Sequence, residues 1–184
     1  MTTRLMSFSY TTGMQTLRTI RQRDIDPQTV LTDTSAFRDR RAARAVLFDA
    51  DGKVYLMHVS KHSYHKLPGG GIDRGESVEQ ALARELLEEV GCKAKVTAEL
   101  GEIIEYRNYD QLRQVSYCYT ARQVGEQVAA ALEEGEIEEG LVEVKAENLA
   151  AAIALLRADK PDNLEGQFIQ QRDLAFLEAA QAQV

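Results

Sequence analysis

The stretch from Leu67 to Cys92 constrains the fold more than any other part of the chain, because it reads as a glycine turn followed at once by a helix. Gly69, Gly70 and Gly71, directly after Pro68, suit neither a helix nor a strand interior, so the backbone turns sharply and can lie close against a ligand. Ser77 and Gln80 have the spacing of a capping box, which starts a helix just after Glu76. Glu79, Gln80, Ala81, Leu82, Ala83, Arg84, Leu86 and Leu87 are good helix formers, and Gly91 suits a C-terminal cap.

A helix here sorts its carboxylates. At about 100° per residue, Glu85, Glu88 and Glu89 fall within an arc of about 100°, and Val78 and Ala81 lie near the same azimuth one to two turns earlier. The acidic stripe therefore continues a partly apolar face. Like charges at this spacing cost about 0.2–0.5 kcal/mol per pair in water, and more when partly buried. Two explanations compete. One is an acidic surface helix with Arg84 paired to Glu88. The other is a site where a hard divalent cation reverses the repulsion, since carboxylate oxygens with retained waters and substrate phosphates are the ligand set of Mg²⁺. Having Gly70, Glu76, Arg84 and Gly91 in register with the stripe favours the cation.

Gly70, Glu76, Arg84, Glu85, Leu86, Glu88, Glu89, Gly91 and Cys92 stand at the spacing G-x5-E-x7-R-E-U-x-E-E-x-G-U, with U apolar, and in this the chain resembles the Nudix hydrolases. The resemblance implies metal-dependent hydrolysis of a diphosphate joined to a nucleoside on one side and another group on the other: a nucleotide, nucleotide-sugar or dinucleoside polyphosphate. It implies Mg²⁺ as cofactor, with Mn²⁺ able to substitute. It implies Glu88 and Glu89 as principal metal ligands, and Glu85 as a ligand or the group that orients and deprotonates the attacking water. A carbonyl of Gly70 or its neighbour joins the metal shell, and Arg84 holds Glu88 or Glu76 in its rotamer. The fold implied is α/β, a Nudix-type α/β/α sandwich with a mixed β-sheet. Family members differ in whether the general base sits in the helix or in a downstream loop. Here residues 133–139 offer Glu138 or Glu139 as a further ligand or base, and Glu139 is taken as the ligand. The alternative function is a catalytically inactive nucleotide sensor or interaction module, but such relatives usually lose a glutamate that this chain keeps.

Composition narrows the partners. A net charge of −7 argues against broad binding to nucleic acid or an anionic membrane, so a small nucleotide is expected in preference to RNA. Against that background Arg38, Arg40, Arg41 and Arg44 cluster before the first clear strand. Guanidinium forks fit phosphate, and Arg41 and Arg44, with His65 near the glycines, are the expected substrate contacts. His58, His62 and His65 lack a zinc set, because no cysteine or acidic residue completes one nearby. No apolar run approaches the roughly 20 residues of a membrane span, and the N-terminus lacks a signal peptide's apolar stretch. Cys92 and Cys118 are expected as buried, reduced thiols, and the chain as cytoplasmic.

The organisation expected is an N-terminal extension over residues 1–40 and a Nudix domain over 41–184. Residues 42–48 and 53–60 read as a hairpin around Asp49-Ala50-Asp51-Gly52, and 95–106, 112–124 and 141–145 as strands. Residues 149–157, capped by Asn148, and 167–180 read as helices. The extension carries Leu5, Met6, Phe8, Tyr10, Met14, Leu17, Ile20, Val30, Leu31 and Phe37, too many apolar groups for a solvated tail. They pack either on an edge of the chain's own sheet or on a second subunit, and a homodimer with this segment at the interface is the expectation.

Overall fold

The structure is a computed structural model and describes residues 13–183. Strands β1 (Thr16–Arg21), β2 (Arg38–Phe48), β3 (Val54–Val59), β4 (Tyr64–Lys66), β5 (Gly69–Gly71), β6 (Lys93–Arg107), β7 (Leu112–Val124) and β8 (Leu141–Ala146) form one mixed sheet. Its main path runs β1-β6-β7-β2-β3-β4, with β5 paired to β2 and β8 to β3. The helices are α1 (Gln22–Ile25), α2 (Val78–Val90), α3 (Glu134–Glu138), α4 (Leu149–Ala158) and α5 (Leu164–Ala182).

Alternation along the strands builds a core on each face of the sheet. Ala43, Ala45 and Leu47 of β2 and Tyr55, Met57 and Val59 of β3 pack with Ala81, Leu82, Leu86 and Val90 of α2. Val46, Val54 and Leu56 point the other way, into a core with Ile153 and Leu156 of α4 and Phe168, Phe176 and Leu177 of α5. The result is the expected α/β/α sandwich, with one helix over the first face and two over the second.

The topology corrects the expected hairpin. β2 and β3 meet only at Phe48 and Val54. Along its length β2 instead runs parallel to β7, from Arg38 opposite Leu112 to Phe48 opposite Arg122, while β3 pairs with β4 and β8. The other edge of β2 is thereby left to the glycines, with Ala42, Ala43 and Arg44 opposite Gly71, Gly70 and Gly69. These residues pair as a short strand, against expectation, because the missing side chains let two backbones close in. At Gly69, where φ is +127°, a Cβ would overlap the Ala43 carbonyl.

At the far edge β1 lies parallel on β6, with Ile20 fully buried and Leu17 packed on the α5-side core. These two apolar groups of the first forty residues thus cover an edge of the chain's own sheet. Met14 packs on the α2-side core, whereas Val30 and Leu31 are exposed. Leu5, Met6, Phe8 and Tyr10 lie outside the described residues. The last helix begins earlier than its apolar pattern suggests, at Leu164, because Asn163 caps it by accepting the Gly166 N–H. Cys92 and Cys118 are free and buried.

Candidate active site

Helix α2 is fixed at both ends by local chemistry. Ser77 Oγ accepts the Gln80 N–H and Gln80 Oε1 accepts the Ser77 N–H, while Gly91, in the left-handed region, returns its N–H to the carbonyls of Leu86 and Leu87. With Ala81, Leu82, Leu86 and Val90 buried under the sheet, Arg84, Glu85 and Glu89 are carried to the glycine strand. The Glu85 carboxylate lies so close to Gly70 that a Cβ there would overlap it. Glycine at this position is a requirement of space.

Arg84 organises the site. Its Nε and Nη2 donate to Glu76 Oε1 and Oε2, both at 3.0 Å. Nη1 donates to Glu85 at 2.9 Å and Glu88 at 3.1 Å, and Nη2 also reaches the Gly71 carbonyl at 3.0 Å. One planar guanidinium thereby ties the start of the helix, two of its carboxylates and the glycine strand into a single geometry. The hydrogen bonds to Glu76 hold the Arg84 pKa above its ordinary value and the Glu76 pKa below its own.

Glu89 is only 1% exposed. It accepts from Lys66 Nζ at 2.7 Å and from the Gly69 N–H at 2.6 Å. A second carboxylate meets it from a different element: Glu136 of α3 faces the Glu89 side chain, and burial together with the charge of Glu89 pushes the Glu136 pKa up to about 7. Burial and the same Glu89 charge also raise the Glu85 pKa, against the pull of Arg84. Glu139, the expected downstream ligand, stands instead at the C-cap of α3, where its carbonyl accepts the Lys61 N–H. The residue of the acidic loop brought to the site is Glu136. Its one sequence signal is the spacing to Glu133, which closes a capping box at the start of α3.

The donor set suits a hard divalent cation. Glu85, Glu88, Glu89 and Glu136 supply oxygens only, and burial together with the charge of Glu89 raises the pKa values of Glu85 and Glu136, the state that a bound cation relieves. Among the described residues no three such groups already converge as a ready cage, and Lys66 and Arg84 are paired to Glu89, Glu85 and Glu88.

Behind the glycine strand the expected substrate residues separate. Arg44 is buried, and its Nη1 donates to the Gly69 carbonyl; burial and the nearby Arg172 push its pKa down to about 10. It supports the strand from beneath. Arg41, one residue out of phase, is exposed, and its carbonyl accepts the Ile72 N–H. His65 is engaged by Asp159, through Nδ1 at 2.9 Å and through its backbone N–H at 2.7 Å, with its ring 4.6 Å from that of His58. Helix α5 also reaches the glycines: Asp173, fully buried beside Arg172, accepts the Leu67 N–H at 2.8 Å.

Comparison with known proteins agrees with this arrangement. The NUDIX domain family matches residues 38–163. An RNA pyrophosphohydrolase of Wolbachia from Brugia malayi is 40% identical over 83 residues, covering 44% of this chain and 50% of the relative. A Bacillus subtilis protein with the provisional name 8-oxo-dGTP diphosphatase is 54% identical over 61 residues, covering 33% of this chain and 41% of the relative. The matches thus span half or less of these relatives' length. Among solved structures, that of the E. coli ORF135 protein aligns with a TM-score of 0.57 at 20% identity, covering 80% of this chain and 91% of the other, which is a likeness of fold.

Proposed function

This chain belongs to the NUDIX family, and from that premise we propose that it is a metal-dependent pyrophosphohydrolase acting on a phosphoric anhydride bond of a nucleoside diphosphate derivative. The observation that carries the reading is the convergence of Glu85, Glu88 and Glu89 of α2 and Glu136 of α3 beside the glycine strand, with more negative charge than Arg84 and Lys66 offset.

A diphosphate resists water because its own charge repels the nucleophile. Bound Mg²⁺, or Mn²⁺ in its place, would supply charge neutralisation and activation of water, held by Glu88, Glu89 and Glu85 with a glycine-strand carbonyl. The chain's own residues do the rest. Arg84 keeps Glu85, Glu88 and the Gly71 carbonyl in one register, and Lys66 and the Gly69 N–H fix both oxygens of Glu89. Glu136 comes from outside α2 and is free of ion pairs among the described residues, so we assign it to orient the attacking water and accept its proton.

The net charge of −7 favours a small nucleotide as substrate, and the provisional name of the Bacillus subtilis relative points the same way. A second reading, hydrolysis of a phosphoric anhydride bond of 5′-triphosphate RNA, draws support from the name RNA pyrophosphohydrolase of the Wolbachia relatives and from the arginines of β2. The decisive experiment is hydrolysis of a panel of oxidised and normal nucleoside triphosphates, ADP-ribose, dinucleoside polyphosphates and 5′-triphosphate RNA, with Mg²⁺, with Mn²⁺ and with chelator. Metal-dependent release of phosphate, pyrophosphate or monophosphate supports the reading, and no turnover across the panel refutes it. RNA turned over far faster than every mononucleotide would select the second. A cytoplasmic homodimer completes the proposal, and the mass in solution tests the dimer.

A further inference from the structure

The face of the sheet opposite α2 carries a charge cluster that the hydrolysis described above leaves idle. Most of it is internally paired. Arg172 binds Asp173 at 2.6 Å and approaches Glu105 at 3.5 Å, and Arg107 binds Glu105 at 3.0 Å and Glu165 at 3.2 Å.

Arg40 of β2 differs. It is half-buried, yet among the described residues it has no carboxylate partner. Its one hydrogen bond there is from Nη1 to the neutral amide oxygen of Gln114, at 2.5 Å. That amide cannot flip away without loss, because Gln114 Nε2 donates to Glu105 at 2.7 Å. The remaining edge of the guanidinium lies against the glycine strand, with Nη2 3.1 Å and Nε 3.6 Å from where a Cβ of Gly71 would stand. Gly71 is the same residue whose carbonyl Arg84 holds from the other side. Burial, and then the charges of Arg107 and Arg172, push the Arg40 pKa down. The carboxylates nearby are already engaged by other arginines, Glu105 by Arg107 and Arg172 and Glu165 by Arg107, and Arg107 Nε is buried with no hydrogen-bond partner among the described residues. Folding has thus placed an oriented cation one glycine away from the carboxylate site with no carboxylate in direct contact among the described residues, Glu165 and Glu105 acting on it only at a distance.

Building on the pyrophosphohydrolase reading, we propose that Arg40 is a substrate-recognition residue, taking a phosphoryl group of the nucleotide that crosses Gly71 from the carboxylate site, with Gln114 setting the angle of the fork. Planar guanidinium is the side chain best matched to phosphate oxygens. The clustered arginines of β2 thereby divide by strand parity: Arg44 supports the glycines, Arg41 is turned to the opposite face, and Arg40 meets substrate.

The test compares Arg40→Gln with Arg38→Gln, which removes the same charge from the exposed start of the same strand, where Arg38 pairs at 3.5 Å with Asp110. Inorganic pyrophosphate is titrated calorimetrically in the presence of Mg²⁺, the melting temperature is recorded, and KM and kcat are measured on the best substrate of the panel. Arg40→Gln is expected to weaken pyrophosphate binding about tenfold to a hundredfold, the scale of a hydrogen bond to a charged group. The kinetic loss should fall mainly in KM, and the melting temperature should hold or rise because a like charge has been removed. Arg40→Lys should fall between, keeping charge and losing the fork. Arg38→Gln should do none of this. Unchanged pyrophosphate affinity and KM in Arg40→Gln would overturn the proposal. So would a lowered melting temperature with binding intact, or a wild-type protein that binds no pyrophosphate. Pyrophosphate held through Arg40 by a protein that hydrolyses nothing would sink the enzymatic reading and leave this site standing.

Discussion

The two faces of the glycine strand carry opposite electrostatic problems. On the α2 side, Glu76, Glu85, Glu88, Glu89 and Glu136 outnumber Arg84 and Lys66. On the α5 side, Arg40, Arg44, Arg107 and Arg172 outnumber Glu105, Asp173 and Glu165. Both clusters reach the same residues: Glu89 and Arg44 meet at Gly69, and Arg84 and Arg40 at Gly71. The difference lies in burial. Arg172, Asp173 and Glu105 are fully enclosed, so the α5 side is mostly a closed frame, while Glu88 and Arg84 on the α2 side are open to solvent and ligand. An uncompensated charge in a closed frame is a structural burden, and the same surplus at an open edge is a binding site.

The largest effect should come from the open side. Glu89→Gln keeps the shape but leaves one acceptor oxygen for two donors, Lys66 Nζ and the Gly69 N–H, and removes a metal-binding charge. We expect kcat to fall about a thousandfold or more, the upper range for loss of a positioned catalytic group, with far-ultraviolet circular dichroism unchanged and Mg²⁺ binding weakened in calorimetry. Near-normal turnover would dissolve the contrast between the faces.

The closed side should respond in stability first. Asp173→Ala leaves fully buried Arg172 with only Glu105, at 3.5 Å, and removes the acceptor of the Leu67 N–H. Breaking a buried pair in this way costs about 3–5 kcal/mol, to be read from urea unfolding. Glu165→Ala, which removes a half-exposed partner of Arg107, should cost at most about 1 kcal/mol. Equal effects would mean that the α5 cluster is not a frame.

The sequence speaks most plainly where structure is local. The box at Ser77, the cap at Gly91 and the acidic stripe of α2 depend on neighbours within a turn or two, and all three stand in the fold as expected. Gly69–Gly71 reads as a turn because its strand character is lent by β2, a partner more than twenty residues away in the chain. The hairpin expected from β2 to β3 is cut short to its turn, Phe48 opposite Val54, for a related reason: the glycine strand and Pro68 take the same edge of β2, and no local signal reports that partner. Arg41 and Arg44 were separable by the two-residue period of a strand, but which face is closed depends on α5, whose Arg172 and Asp173 lie far downstream.

The acidic loop gives the clearest case of tertiary selection. Among Glu133, Glu134, Glu136, Glu138 and Glu139 the composition offers no choice, and the fold brings Glu136 to Glu89 while Glu139 ends α3. Glu136→Gln should therefore lower kcat by about a hundredfold, the scale of a general base, whereas Glu139→Gln should stay within a few-fold of wild type. Steady-state kinetics on the best substrate reads both, and the reverse ranking would return the role to Glu139.

The smallest effect is also the most specific to the crowding of the open side. Glu85 and Glu136 both have pKa values raised in the folded, metal-free chain, Glu136 to about 7, by burial and by Glu89. An unfolded glutamate titrates near 4.3. Between those limits the folded state binds more protons than the unfolded one, so stability falls as pH rises. His58 works in the opposite direction: burial and then His65 hold its pKa down, so stability is lost as pH drops below the ordinary histidine value of about 6.5. From about pH 8 down to about pH 6.5 the carboxylates act without that opposition, and the melting temperature of chelator-treated protein should rise. Glu136→Gln should flatten this rise, because the group that titrates highest is gone. Saturating Mg²⁺ should flatten it as well, since a cation held by the same oxygens favours their charged form. A metal-free melting temperature that stays level or falls over this interval would mean that Lys66 and Arg84 already offset the open side, and that its surplus charge is not what draws the metal.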